Sequence, residues 1–85
     1  MDIMITNNQR AGRFEIALDG SMAILEYMVT GGLITLVHTE VPKELGGRGL
    51  GGKLVRSALE HAKQNNLRVV AHCEFARSYI SRHKE

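Results

Sequence analysis

Glu40-Val41-Pro42-Lys43-Glu44-Leu45-Gly46-Gly47-Arg48-Gly49-Leu50-Gly51-Gly52-Lys53 divides this 85-residue chain into two kinds of pattern. Before Pro42 the apolar residues alternate, as in strands; after Gly49 they recur at helical spacing. The segment itself holds five glycines. A glycine-rich turn that opens a helix exposes unpaired N–H groups at the positive end of the helix dipole, and the missing side chains let phosphate oxygens approach the backbone. The simpler reading is a flexible turn. Glycine costs ~1 kcal/mol against alanine in a helix, however, and Gly51 and Gly52 both fall in the expected first turn. The turn is therefore expected to cradle a pyrophosphate.

Upstream, residues 1–12 show weak periodicity, and residues 7–12 read as a loop or turn. Phe14, Ile16 and Leu18 then share one face of a strand over residues 13–18. Asp19-Gly20 is a hairpin signal between alternating runs. Residues 22–29 are apolar on both faces, which predicts a strand central in its sheet. Thr30-Gly31-Gly32 turns the chain into a third strand, residues 33–41, stopped by Pro42. The result is an antiparallel three-strand meander.

Downstream, Leu50, Leu54, Val55, Ala58, Leu59 and Ala62 make the apolar stripe of a helix, with Lys53, Arg56, Glu60, Lys63 and Gln64 on its other side. Asn65-Asn66 suits its C-terminal stop. Residues 67–71 are short and branched, which predicts a fourth strand, parallel to the third because a helical crossover joins them. Phe75, Ala76, Tyr79, Ile80 and His83 are spaced for a C-terminal helix. The fold class is α+β.

Composition narrows the function. A chain of this length holds one core, so residues 1–85 are read as a single domain. A formal net charge of +2 with scattered basic residues gives no broad basic face, and no nucleic-acid partner is expected. Arg48, Lys53 and Arg56 do gather around the glycines, enough for a small anionic ligand. Cys73 is the sole cysteine, which excludes an internal disulfide and a cysteine-rich zinc site, and the histidines lack metal-ligand spacing. A lone thiol suits a reducing compartment, so a cytoplasmic location is expected. No signal-like start or membrane span is read in the sequence. Aromatic residues are few, and Met1, Met4, Met22 and Met28 are expected as core filler.

Three phosphate patterns compete for the glycines. Gly47, Gly49 and Gly52 satisfy G-x-G-x-x-G, and Gly47, Gly52 and Lys53 satisfy most of the Walker pattern, with Leu54 where Ser or Thr should stand. Both need a strand running almost directly into the glycines and a sheet built from parallel crossovers. Pro42 and the preceding meander disagree with that.

The third is [RQ]-x-x-G-x-[GA] after a strand ending in Val-Pro, met by Gly49 and Gly51, with Gly46 at the first position. This is motif A of the GNAT acetyltransferases. Together with residues 38–42, the helix opening Lys53-Leu54-Val55, and Cys73 followed by Phe75, Tyr79-Ile80 and His83, it resembles the minimal stand-alone GNAT-like family. The resemblance spans about residues 8–83. It implies a short GNAT fold whose third and fourth strands splay to admit acetyl-CoA. It further implies pantetheine pairing with backbone near Thr39 and Val41. The pyrophosphate would sit on the amides of Gly47, Arg48, Gly49, Leu50, Gly51 and Gly52, with Lys53 adding charge.

Four side chains are candidates for chemistry. Cys73 precedes a helix, where a thiol's pKa falls and the thiolate becomes the nucleophile. The resemblance places it near the thioester, so an S-acetyl-Cys73 intermediate is one expectation and an inert buried thiol the other. Tyr79, by the same resemblance, would protonate the departing thiolate, unless it is simply packed. His38 and Glu40 share a strand face and either can serve as base toward an amine. Solvated or hydrogen-bonded side chains are the plainer reading of both. The expected function is acetyl-CoA-dependent N-acetyl transfer to an amine acceptor that the sequence does not identify. The alternative is an acyl-CoA-binding or sensing module with little turnover. Oligomeric state is left open, because sheet edges are available to a partner.

Overall fold

The Asp19-Gly20 turn adopts φ values of 53° and 78°, the left-handed pair that a two-residue hairpin requires. In the computed structural model, which describes residues 3–83, this turn joins strands β2 (Arg13–Leu18) and β3 (Ser21–Thr30). Gly31-Gly32 turns β3 into β4 (Leu33–Glu40) in the same way. A single 3₁₀ turn (Lys43–Leu45) leads to helix α1 (Leu50–Gln64), then strand β5 (Arg68–Ala71) and helix α2 (Glu74–Arg82). The α+β class, the meander and the parallel pairing of β4 with β5 are as expected.

One strand was not expected. Thr6–Asn8 forms β1, which pairs antiparallel with β2 and extends the sheet to the order β1-β2-β3-β4-β5. Its polar residues carry no alternation, so the pattern that marks a half-buried strand is missing. Tertiary contacts hold it: the Tyr27 hydroxyl donates to Asn7 Oδ1 at 2.6 Å, and the Asn8 amide donates to Glu15. Glu15 also takes a bond from Arg13, and these bonds hold its carboxyl below the usual range.

The core lies between the sheet and α1. Phe14, Ile16, Ala23, Leu25, Tyr27, Ile34 and Leu36 face Leu50, Leu54, Val55, Ala58 and Ala62 of the helix. Fully burying one such aliphatic side chain contributes about 1.5–3 kcal/mol, the main favourable term in a domain this small. Two helices cannot cover both faces of five strands, and the other face of β3 is open. Met22 and Met28 are 40% and 60% exposed there, and Met4 is 81% exposed. These methionines are not core filler, which corrects the sequence expectation; Met1 lies outside the described residues. The strand is central, as expected, but covered on one side only.

Candidate functional site

β4 changes its facing pattern halfway along. Tyr27 pairs with Leu36 and Glu26 with His38, so Val37 is an extra residue, a β-bulge. Before it, Ile34 and Leu36 point into the core. After it, Thr39 pairs with buried Leu25 and joins the helix side, while His38 and Glu40 pair with Glu26 and Ile24 on the open face. His38 Nε2 lies 3.5 Å from Glu40 Oε1, and both side chains are more than half exposed.

Pairing between β4 and β5 stops just there. The register ends at Leu36 with Ala71, and the Leu36 carbonyl accepts from both His72 N–H and Cys73 N–H as the chain turns into α2. Residues 37–41 continue without a β5 partner. The strands thus splay, leaving an open backbone edge that leads toward the glycine turn. Thr39 and Cys73 face each other at its apex, Oγ1 to Sγ 3.2 Å. Cys73 is the N-cap residue of α2. Partial burial raises its thiol pKa, but hydrogen bonds from Thr39 and from the N–H groups of Ala76 and Phe75 lower it, and the net direction is down. A thiol in this setting has increased thiolate character at neutral pH.

The glycine turn is held at both ends. Leu45 and Leu50 are buried, so residues 46–49 arch between two anchors. The β2–β3 turn braces it from the side: Ser21 donates to Glu44 at 2.6 Å, and Arg48 pairs with Asp19 at 3.0 Å. The bond from Ser21 holds the Glu44 carboxyl below its ordinary pKa. Gly47 and Gly49 take φ values of 80° and 71°, a region that side chains disfavour. Gly49 caps α1 without any side-chain bond, and no acidic residue occupies the first helical turn. The opening amides of α1 therefore have no side-chain cap, and no carboxylate opposes the dipole in that turn.

Gly51 and Gly52 have a second reason to be glycine. A Cβ on Gly51 would lie 2.7 Å from Phe75 Cζ, and one on Gly52 would lie 3.0 Å from Tyr79 Cε2. The rings of α2 rest on the first turn of α1. Packing against α2 by itself accounts for glycine at these two positions.

Two adjoining grooves flank that contact. One, about 350 Å³, runs from Val41 and Pro42 past Gly46, Gly47, Gly49 and Gly51 to Phe75. The other, about 360 Å³, is lined by Gly49, Gly52, Lys53, Arg56, Phe75, Tyr79, Arg82 and His83. They share Gly49, Gly52 and Phe75. A larger cavity of about 560 Å³ lies elsewhere, around Gln9, Tyr27, His61 and Asn65. It contains none of the residues named as candidates for catalysis or coenzyme binding.

The structure thus brings Val41, Gly47, Gly49, Leu50, Gly51, Gly52 and Lys53 to the two grooves, and Thr39 to Cys73. Arg48 lines neither groove because Asp19 holds it aside. Tyr79 lines the basic groove, its ring stacked on His83 at 4.0 Å. His38 and Glu40 stand on the open face, across the strand from Thr39. Sequence reasoning missed Phe75 and Arg82 as groove residues. The signal for Arg82 was its place on the face of α2 that carries Tyr79, three residues before it.

Together the two grooves offer basic side chains at one end and, toward Val41, a strand edge without a β5 partner at the other. Residues 13–85 match the profile of the family described as GCN5-related N-acetyl-transferase. The chain is 30% identical over 81 residues to Protein NATD1 of Homo sapiens, covering 92% of this chain and 72% of that protein. The Gallus gallus NATD1 is 28% identical over a similar span, 74% of its length. A GCN5-like protein from Staphylococcus aureus, solved in solution, superposes with a TM-score of 0.72 at 35% identity, covering 93% of this chain and 78% of that one. The chain belongs to the GCN5-related N-acetyltransferase family.

Proposed function

We propose that the protein, as a single domain, binds acetyl-CoA along the splayed edge of β4 and transfers the acetyl group to an amine. The observation that carries this reading is the occurrence in one small fold of three features: a strand edge without a β5 partner, a helix start among glycines with no side-chain cap, and a thiol of lowered pKa where the two strands part. Backbone near Thr39 and Val41 suits the amides of the pantetheine arm. The pyrophosphate fits the uncapped amides from Gly47 to Gly52, with Lys53 beside them.

In this reading Cys73 is the nucleophile, supported by its lowered pKa and its contact with Thr39. Its thiolate attacks the thioester carbonyl, the carbonyl–sulfur bond to the coenzyme breaks, and an acetyl–Sγ bond forms. The departing coenzyme thiolate takes up a proton. An unprotonated amine then attacks the acetyl carbonyl, the bond to Sγ breaks, and the amine loses a proton as the amide forms. Thr39, 3.2 Å from Sγ, supports the thiolate before it attacks and again as the amine displaces it. His38 and Glu40, exposed on the open face, can accept the amine proton through water. Tyr79, in the basic groove with its ring stacked on His83, is the candidate donor of the proton that the coenzyme thiolate takes up. A lone reactive thiol suits a reducing, cytoplasmic setting.

One observation favours the second reading, an acyl-CoA-binding module. The face of the sheet that carries His38 and Glu40 is bare, so no walled acceptor chamber exists among the described residues. Intact mass after incubation with acetyl-CoA, followed by coenzyme release with a panel of amines, separates the two. The transferase reading expects a 42 Da adduct, the mass of one acetyl group, that Cys73→Ala abolishes and amines discharge. Binding without adduct or amine-dependent release supports the module, and no binding at all overturns both.

A further inference from the structure

We infer that the bare face of the sheet is the interface of a twofold dimer, in which the second copy walls the acceptor side of each site. The dimer stands on the surface alone; the wall rests on the transferase reading above. Charge on this face is gathered toward one end. Arg13, Glu15, Glu26 and Glu40 occupy neighbouring register positions on β2, β3 and β4, three carboxylates to one guanidinium. Two residues beyond Glu26 comes Met28, 60% exposed, with Leu33 and Val37 exposed beside it on β4. Arg68 stands at the other end, in register with Leu33, and forms no ion pair among the described residues. Scattered exposed apolar residues are ordinary, but adjoining ones on an uncovered sheet mark an interface.

Charge complementarity selects a second copy as the occupant. A copy laid face to face and turned end for end about Met28 brings its Arg68 toward the acidic band of the first, and symmetry repeats the exchange. Met28 is the pivot because Glu26 lies two residues before it and Thr30, in the row of Leu33 and Arg68, two after. The apolar middles then lie on each other, as the facing sheets of a sandwich do. The area is sufficient. The domain measures 36 × 29 × 21 Å, and a sheet under helices about 10–12 Å thick accounts for the short dimension. The face therefore spans on the order of 1,000 Å², against about 800 Å² per partner in a standard interface. In this arrangement the second copy's β3–β4 hairpin closes over His38 and Glu40, the groups assigned to the amine.

Sedimentation velocity at rising protein concentration, with circular dichroism to check the fold of each variant, tests the dimer. The wild type should pass from 9.4 kDa to twice that mass with a midpoint of about 1–50 μM. Met28→Lys should stay monomeric over the same range. Arg68→Glu should weaken association about tenfold, and adding Glu26→Lys to it should recover most of the loss. A wild type that stays monomeric leaves the face bare or to an unrelated chain, and overturns the proposal. So does a dimer that Met28→Lys leaves intact, or a charge reversal that its partner does not rescue. The wall is tested by mass spectrometry on acetylated protein: Met28→Lys should form the Cys73 adduct as the wild type does but discharge it to amines about tenfold more slowly. Equal discharge overturns the wall. No adduct in either protein overturns the transferase reading and the wall with it, while sedimentation still decides the dimer.

Discussion

Replacing Gly51 by alanine tests how α2 is seated on the glycine turn. The added Cβ would lie 2.7 Å from Phe75 Cζ, 3.0 Å from Cε1 and 3.2 Å from Cε2. Carbon atoms prefer about 3.5–4.0 Å, and with three ring atoms inside that range the whole ring must move. Overpacking of this kind costs about 1–3 kcal/mol. Phe75 is 41% exposed and can swing toward solvent, which favours the lower part of that range. Against it stands the helix propensity of alanine over glycine, about 1 kcal/mol at most and less in a first turn. The expected net effect is a destabilisation of about 1 kcal/mol. In a Phe75→Ala background the obstacle is gone, and the same substitution should become neutral or stabilising by about 0.5 kcal/mol. Urea unfolding of the four proteins, with a common m-value, measures the coupling. If Gly51→Ala stabilises equally in both backgrounds, Phe75 does not rest on Gly51 and the account of the two grooves fails.

Thr39→Val should raise the pH at which Cys73 becomes reactive. The rate of iodoacetamide alkylation in the wild type should stay high below the midpoint of a free thiol, about 8.5, and fall only at lower pH; an unchanged profile in the variant rules out Thr39 as the supporting donor. Arg48→Ala removes an exposed ion pair with Asp19 and should cost no more than about 1 kcal/mol in urea unfolding while leaving coenzyme affinity within twofold. A tenfold loss of affinity would instead put the guanidinium on the ligand. Tyr27→Phe deletes the bond to Asn7 and should cost about 1 kcal/mol, with faster amide exchange confined to β1. Exchange spreading through β3 and β4 would mean that the hydroxyl supports the whole sheet.

The meander, the crossover helix and the parallel fifth strand were legible because each has a period or a turn signal of its own. Asp19-Gly20 and Pro42 gave the boundaries, and the stripe from Leu50 to Ala62 gave the buried face of α1. β1 was not legible, because a polar edge strand is held by partners distant in the chain. The methionines misled for a related reason. Apolar residues on both faces of β3 suggest burial on both sides, yet a chain with two helices covers only one.

Within the site, the glycine turn could be read locally, but three things could not. The bulge at Val37 depends on register with β3, and it alone decides that Thr39 meets Cys73 while His38 and Glu40 face away. The pairing of Arg48 with Asp19 joins two turns far apart in sequence. The fit of Phe75 and Tyr79 onto Gly51 and Gly52 depends on how α2 docks, which no spacing within α2 reveals. Glycines that looked dedicated to a phosphate therefore serve packing as well.

Amide chemical shifts during titration with acetyl-CoA test the central claim most directly, because they report every candidate surface at once. Saturable shifts are expected at residues 37–41, through Gly46–Lys53, and along 73–83, with those lining the larger cavity near Gln9, His61 and Asn65 unmoved. Shifts centred on that larger cavity, or none at millimolar acetyl-CoA, would contradict it.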